Sequence, residues 1–422
     1  MRATETVEMQ GHIIDSLTLA KVLDIVVGAG AEYRLDEVEL GRTSADTSRA
    51  RLSISAADET TLATLLDQIH LHGANRVSTG DAAVVAAEKD GVLPAGFYST
   101  TNLPTSVRIG GHWRPVERAE MDCAMVVGRD GVARTVPMHR VRAGDGVVTG
   151  SDGIRVESAP RPVRGHGFEF MTSEVSSEKP QALLVSEVCR QVQRNRAEGG
   201  RLLAVCGPAV VHTGAGPDLA RLVRGGWVDV LFAGNGFATH DIESNVMGTS
   251  LGVSLGKGTP AEGGHANHLR VINEVRRHGS IAEAVRSGFL SGGVLYECIR
   301  HGVPFVLAGS IRDDGPLPDV MTDVVVAADA MRDQLDGVGV ALMLASTLHG
   351  IATGNMLAAG VQTFCVDINQ AVAVKLADRG THQALGIVTD VGLFLRQMAD
   401  RLCPDRGMPG PEGAPDEQRA PG

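Results

Sequence analysis

RLLAVCGPAVVHTGAGPDLARLVRGGWVDVLFAGNGFATHDI, residues 201–242, decides how the chain is read. Two short apolar runs, 202–205 and 228–232, each break into a glycine-rich loop: CGPAVVHTGAG after the first, AGNGFATHD after the second. The segment 217–223 between them reads as a helix. The unit predicted is strand, loop, helix, strand, with polar loops at the carboxyl ends of parallel strands. Ligands of open α/β sheets sit in that crevice. Glycines let backbone approach a phosphate, and free N–H groups at a helix start attract anions. The stretch therefore reads as half of a nucleotide cradle, although Thr239 stands where a G-x-G-x-x-G fingerprint begun at Gly234-Asn235-Gly236 needs a third glycine or alanine.

Working outward, the same logic covers residues 201–400. A helix is expected over 269–277, and Ser280 is expected to cap another over 281–287. Strands are expected over 303–308, 324–327 and 361–366, an apolar helix over 338–350, and a helix over 370–377. Four loops then follow four strands: 206–216, 233–241, 309–316 and 367–369. If the strands are parallel, these loops share one rim.

Upstream, residues 179–196 read as a helix with Leu183, Leu184, Val188 and Val192 as its buried stripe. Residues 157–180, with SAPRPVRGHG, mark a boundary. Between 107 and 156 the pattern is short strands with Gly turns, Asp130-Gly131 being a hairpin signal. The first part alternates as strand (3–15), helix (17–28, with Asp15-Ser16 as cap), strand (33–40), strand (48–54) and helix (58–72), a ferredoxin-like order. The domain reading is 1–100 ferredoxin-like, 101–165 β-rich, 166–402 parallel α/β, and 403–422 a Pro/Gly-rich, charged tail expected to be disordered.

Length and composition limit the function. The 422 residues suffice for two or three domains, and aromatics make up only 3%. A net charge of −11 without a basic stripe argues against nucleic acid and is compatible with a small cationic substrate. The six cysteines form no C-x-x-C pair, so neither zinc nor a disulfide framework is expected, and no metal is. The first residues lack a signal-peptide core and no apolar run would span a bilayer, which predicts a cytoplasmic protein with no membrane partner. The amount of apolar helix suggests a homo-oligomer.

Several rim residues carry chemistry, each with a plainer alternative. His212 and His240 can move protons near neutrality. Asp241 and Glu243 could hold an ammonium group, or Asp241 could cap a helix over 242–247. Asp313-Asp314 could bind ribose, metal or amine, or be solvated turn residues. Lys375 could act as base or imine-forming amine, or lie on a helix surface. Cys206 reads as small apolar filling rather than a nucleophile. Asn235 and Asn355 could fix ligand amides or ribose, or hold left-handed turns.

GHIIDSLTLAKVLDIVVGAGAEYRLDEVELGRTSADTSRARLSI (11–54) resembles the conserved module of the bifunctional lysine-oxoglutarate reductase/saccharopine dehydrogenases. NLPTSVRIGGHW (102–113), MDCAMVV (121–127), EKPQALLVSEVC (178–189), GPAVVHTGA (207–215), LFAGNGFATHDIE (231–243), AGSIRDDGPLPDV (308–320), HGIATGN (349–355) and VDINQAVAVKLADRG (366–380) resemble the archaeal-type ornithine cyclodeaminases. The resemblance runs in order over about residues 4–400. These residues carry no resemblance to the arginine dihydrolase domain of the cyanobacterial fusions, so arginine hydrolysis is not expected. The carboxyl-terminal domain of this family is similar to the NAD-binding domain of deoxyhypusine synthase, which implies NAD in the rim. The contacts then expected for it are Gly214, Ala215, Gly234, Asn235, Gly236, Gly309, Ser310, Ile311, Gly354, Asn355, Asp367 and Asn369. Lys375 lies near the place of the lysine that carries the intermediate there, one residue out of register.

The chemistry implied is redox-neutral: L-ornithine loses hydride at Cα, its δ-amine closes on that carbon, ammonia leaves, and the hydride returns to give L-proline. His212, His240 or Lys375 would serve as acid or base, and Asp241, Glu243 or Asp314 would orient the δ-ammonium. Arg312 would hold the α-carboxylate. Two other readings remain: an imine-forming enzyme on another diamino acid such as lysine, and a non-catalytic NAD-binding sensor of amino acids. The titratable rim favours an enzyme.

Overall fold

The computed structural model describes residues 2–404 apart from 15, 43–45, 78–79, 159–174, 177–180, 252, 255–265, 314 and 379–383. The expected disordered tail and the candidate Asp314 therefore lie wholly or almost wholly outside the described residues.

The first module contains β1 (Ala3–Gly11), α1 (Thr18–Gly28), β2 (Glu32–Glu39), β3 (Ser48–Ala56), α2 (Glu59–His70) and β4 (Asn75–Arg76). Its sheet order β2-β3-β1-β4, antiparallel throughout, is the ferredoxin-like arrangement the sequence predicted. Alternation does the work in β3. Ala50, Leu52 and Ile54 join the core with Val7, Met9, Leu65 and Ile69, while Arg49 and Arg51 point away and pair with Glu8 at 2.6 and 3.2 Å. Asp58 caps α2 by accepting from the Thr61 amide at 2.8 Å. The cap expected for α1 at Asp15-Ser16 needs correction. Leu17, in the left-handed region at φ 58°, precedes the helix without a side-chain cap, and the Ser16 hydroxyl instead donates to the His12 carbonyl at 2.7 Å.

The second sheet is built from β5 (Ala83–Ala86), β6 (Thr105–Ile109), β7 (His112–Glu117), β8 (Ala124–Val127), β9 (Ala133–Val136), β10 (Gly146–Thr149) and β11 (Ile154–Val156), in the order β11-β6-β7-β9-β8-β10-β5. Asp130-Gly131 makes the β8–β9 turn as expected, with Gly131 at φ 75° and the Asp130 carboxylate accepting from the Val132 amide.

The third unit runs through β12 (Val175–Ser176), α3 (Gln181–Ala197), β13 (Arg201–Cys206), α4 (Ala209–His212), α5 (Gly216–Arg224), β14 (Val230–Gly234), α6 (Asn235–Met247), β15 (Thr249–Ser250), β16 (Val253–Ser254), α7 (Asn267–His278), α8 (Ile281–Arg286) and α9 (Val294–His301). It continues through β17 (Phe305–Ala308), β18 (Val320–Met321), α10 (Val324–Asp333), β19 (Val338–Leu344), α11 (Leu348–Met356), β20 (Gln362–Asp367), α12 (Gln370–Asp378), β21 (Ala384–Val388) and α13 (Val391–Leu402). Eight strands form one parallel sheet in the order β12-β21-β20-β19-β13-β14-β17-β18. Successive residues feed opposite cores. Leu202, Ala204 and Cys206 face α3, α5, α6, α9 and α13, whereas Leu203 and Val205 face the α10–α12 side. Strands covered on both faces read as unbroken apolar runs.

That rule explains two errors. The apolar run at 338–350, expected as a helix, is β19 followed by α11: a buried strand and a buried helix cannot be told apart by periodicity. The expected strand at 324–327 is the first turn of α10, whose β-branched residues are overridden by Asp323 capping the Val325 and Val326 amides at 2.9 and 3.2 Å. Most of the expected loop 233–241 is likewise helix, since α6 starts at Asn235. In α3, Leu183 is 61% exposed and Val185 takes its place in the core.

The β-rich sheet docks at the amino ends of the parallel strands. Ala359 donates to the Asn102 carbonyl at 2.8 Å, and Arg332 at the end of α10 pairs with Glu120 at 2.7 Å. Arg140 reaches Asp329 at 3.0 Å. The carboxyl rim of the sheet is thereby left clear.

Where the first two modules meet, the His70 ring stands edge-on to Tyr98 with centroids 5.7 Å apart, both buried. Burial lowers His70 from 6.5 to about 4. Between those values the unfolded chain binds a proton that the folded chain rejects, so stability present above pH 6.5 is lost as the pH falls toward 4. The group should contribute about 3 kcal/mol to that loss. His70→Leu is expected to flatten the dependence, read as thermal midpoints at pH 7 and 4.5.

Candidate active site

Sheet order sets the location. From β13 the chain works outward through β14, β17 and β18, then returns to the other side of β13 with β19, β20 and β21. The direction reverses between β13 and β19, and in such sheets the ligand crevice opens above that gap. The two strand ends are pressed together there. The Gly207 amide donates to the Leu344 carbonyl at 2.9 Å, and a Cβ on Gly207 would lie 1.8 Å from the Ala345 carbonyl oxygen. Ala345 itself sits at φ 47°, a left-handed conformation costly for a residue with a Cβ. Such strain concentrates at functional sites.

Two helix starts beside this gap differ from their neighbours: that of α11, after β19, and that of α6, after β14 on the far side of β13. Asp323, Asn369 and Asp390 supply side-chain acceptors to the starts of α10, α12 and α13. In contrast, α6 and α11 begin at Gly234 and Thr347 with no side-chain cap and no acidic residue in the first turn. Their amides are left for an anion, which is what the phosphates of a dinucleotide require. Gly234 also gives room: a Cβ there would meet His349 Cε1 at 2.9 Å. At the end of β21, the buried Thr389 hydroxyl has no partner among the described residues.

Beside this gap lies a histidine cluster. His212 ends α4 and His240 lies in the second turn of α6, with ring centroids 4.8 Å apart in an edge-to-face arrangement. His212 Nδ1 is 2.7 Å from the Ser250 hydroxyl on β15. His240 Nδ1 is 2.8 Å from Glu243 Oε2, and Glu243 is fully buried. Burial, with the neighbouring His240 second, holds His212 below the usual histidine range, against an upward pull from Glu243.

The expected residues divide accordingly. The structure brings together His212, His240 and Glu243, and separately Gly234 and His349. Gly214 opens to free space at φ 78°, with Ala215 buried beside it. Gly236 abuts Pro208, so the first turn of α6 packs on the β13 loop. Gly309, Ser310 and Ile311 form the loop after β17, where Asp313 accepts from the Ser310 amide at 2.8 Å. Ile311 and Arg312 are exposed. Asp367 accepts from the Asn369 amide at 2.8 Å, and Asn369 caps α12.

Others are placed elsewhere. Asp241 points away from the crevice: its buried oxygens accept from the Val294 and Leu295 amides at 3.0 and 2.9 Å, capping α9. Burial pushes its carboxyl up to about 6, opposed by those two amides. Asn235 uses Oδ1 to accept from the Leu317 amide at 3.0 Å and so holds the β17–β18 connection. Gly354 and Asn355 lie at the far end of α11, about 10 Å along the axis from its start, and Asn355 accepts from Met121 of the β-rich sheet. Lys375 is an exposed residue in the middle of α12. Cys206 is buried, which raises its thiol and fits the apolar reading. His349, Ala345 and Ser250 were not anticipated. Reading 338–344 as a strand would have revealed the first two as a fifth rim loop.

Comparison with known proteins agrees with this geometry. The family described as arginine dihydrolase ArgZ-like, C-terminal, Rossmann fold matches residues 186–398, its first region matches 104–185, and the LOR/SDH bifunctional enzyme conserved region matches 4–103. Over 402 residues the chain is 49% identical to the ornithine cyclodeaminase of Methanopyrus kandleri, covering 94% of this chain and 97% of that protein. The chain belongs to the ornithine cyclodeaminase family. Among solved structures, apo ArgZ, an arginine dihydrolase from the ornithine-ammonia cycle in cyanobacteria, matches with a TM-score of 0.81 at 37% identity, covering 95% of this chain and 58% of that one. The ternary complex of AgrE with ornithine and NAD+ matches with a TM-score of 0.52 at 41% identity, covering 95% and 57%. As in the family description, the third unit is a Rossmann fold, built here without the G-x-G-x-x-G signature.

For this ornithine cyclodeaminase family member, Asp241 should behave as a structural carboxylate. Asp241→Ala leaves two buried amides unpaired and should cost about 2–3 kcal/mol. Asp241→Asn, which retains one acceptor, should cost less than half as much. Denaturant unfolding of the three proteins at pH 7 measures the difference.

Proposed function

We propose that this protein is an NAD-dependent ornithine cyclodeaminase that converts L-ornithine to L-proline and ammonia with no net change in the cofactor. The reading is supported by near full-length similarity to an ornithine cyclodeaminase and by the AgrE complex that contains ornithine and NAD+. The observation that carries it is the histidine pair beside a crevice flanked by two uncapped helix starts. The residues present fit the cofactor: the amides of α6 and α11 would take its phosphates, with Gly207, Gly234 and the Thr389 hydroxyl around them. NAD+ bound there supplies a hydride acceptor for the α-carbon and gives the hydride back once the ring has closed.

The chain's own side chains handle protons and charge. The δ-ammonium of ornithine must lose a proton before its nitrogen can attack the α-carbon. His240, backed by Glu243, takes that proton through Nε2. The bond between the α-carbon and the departing nitrogen then breaks as that nitrogen gains a proton from the neighbouring His212. Arg312, on the exposed loop after β17, holds the α-carboxylate with its planar fork. Leu348, Ile311 and Ile368, 70%, 110% and 76% exposed around the rim, would be covered by ligand or by a second copy in a homo-oligomer, which forms part of this reading. No disulfide forms among the described cysteines, which suits a reducing cytoplasm.

The test is incubation of purified protein and NAD+ with ornithine, lysine and 2,4-diaminobutyrate. Ornithine should release ammonia and proline in equal amounts without accumulating NADH. NADH rising in step with ammonia, or ammonia only from another diamine, would overturn the reading. His240→Ala should lower kcat by about 10²–10⁴-fold.

A further inference from the structure

We infer that Glu243 is a positioning residue that fixes the tautomer of His240, and that it does not bind the substrate's ammonium group. A carboxylate with no exposed surface cannot meet a ligand in the crevice, and Glu243 has none. Its oxygens are engaged on two sides. Oε2 lies 2.8 Å from His240 Nδ1, and Oε1 accepts from the Thr249 hydroxyl at 2.7 Å. Thr249 accepts in turn from the Asn267 amide at 2.9 Å, and Asn267 accepts from Arg270 at 3.0 Å. Thr249 and Asn267 are buried and His240 is half-buried, so the line starts at the exposed Arg270 on α7 and runs inward through β15 to α6.

An ionised carboxylate only accepts, so Nδ1 of His240 must carry its hydrogen. Nε2 is then the nitrogen that exchanges protons with a ligand. A histidine held this way by a third group is the general logic of an oriented base. The neighbouring charges favour the same division of labour. His212, from α4, faces His240 and is depressed by burial. Asp241, on α6 itself, is turned onto α9. On α7, Arg270 acts at a distance through Asn267, and His268 lies on the same turn. Glu243 is the carboxylate bonded to the pair, and it meets the His240 ring, not the His212 ring. This assignment rests on the proposed turnover only for its kinetic consequences; the tautomer is a property of the free protein.

Nitrogen-15 spectra of the histidine rings in the wild-type protein test it directly, with His240 assigned by comparison with His240→Gln. The expected result is a neutral His240 ring with hydrogen on Nδ1 and a bare Nε2. In Glu243→Gln, whose amide can donate or accept, the ring should lose its exclusive preference for hydrogen on Nδ1. At pH 7, kcat should fall by about 10²–10⁴-fold while KM for ornithine changes less than about threefold. Thr249→Val, which removes one bond to Glu243 and leaves the carboxylate in place, should give a smaller effect in the same direction. If Glu243→Gln does not fold, the wild-type spectra and Thr249→Val still decide. A His240 with hydrogen on Nε2 and a bare Nδ1, or a Glu243→Gln enzyme with unchanged kcat and a large rise in KM, overturns the inference. Wild-type protein that turns over no ornithine but shows the expected tautomer would sink the proposed activity and leave the positioning assignment standing.

Discussion

Strands covered on both faces have no polar side on which to present chemistry, and this constraint organises the molecule. In the parallel sheet, alternate residues of β13, β14 and β19 enter two separate apolar cores. Polar groups can gather only where the strands end. Because all eight strands run the same way, their carboxyl ends form one edge. The other edge is occupied by the β-rich sheet through Arg332–Glu120 and Arg140–Asp329. The polar groups of this sheet therefore have one clear edge, and its centre is where Gly207 and Ala345 meet.

Two carboxylates on α6 show how much position along one helix matters. Asp241 and Glu243 are both fully buried, two residues apart, and a helix turns them about 200° from each other. Asp241 faces the start of α9, where two amides need an acceptor and Gly293, at φ 103°, has no Cβ to crowd its oxygens. Glu243 faces His240 and β15. The first ties a helix down. The second sets where a ring nitrogen keeps its hydrogen.

Much of this was legible in the sequence. The alternation in 48–56, the Asp130-Gly131 turn and the strand–helix–strand of 201–234 all follow from local period and turn chemistry. His212 and His240 were singled out because both fall in glycine-rich segments next to apolar runs, and the structure sets their rings side by side. The failures share a cause. Residues 338–344 carry no periodicity once both faces are covered, so the central strand looked like a helix and hid the strand-to-helix turn that leads to His349. The partners of Asp241 lie 53 and 54 residues away, and no local pattern could show whether its carboxylate met a ligand or an amide. Asn355 and Gly354 were assigned to the rim because a glycine-asparagine pair looks like a loop, whereas they lie within α11.

That helix links regions otherwise held apart. His349 stands in its first turn against Gly234, and its last turn carries Asn355 bonded to Met121 of the β-rich sheet. A nine-residue helix is stiff along its axis. It works as a spacer: its length fixes how far the imidazole at the strand ends stands from the segment that leads into β8.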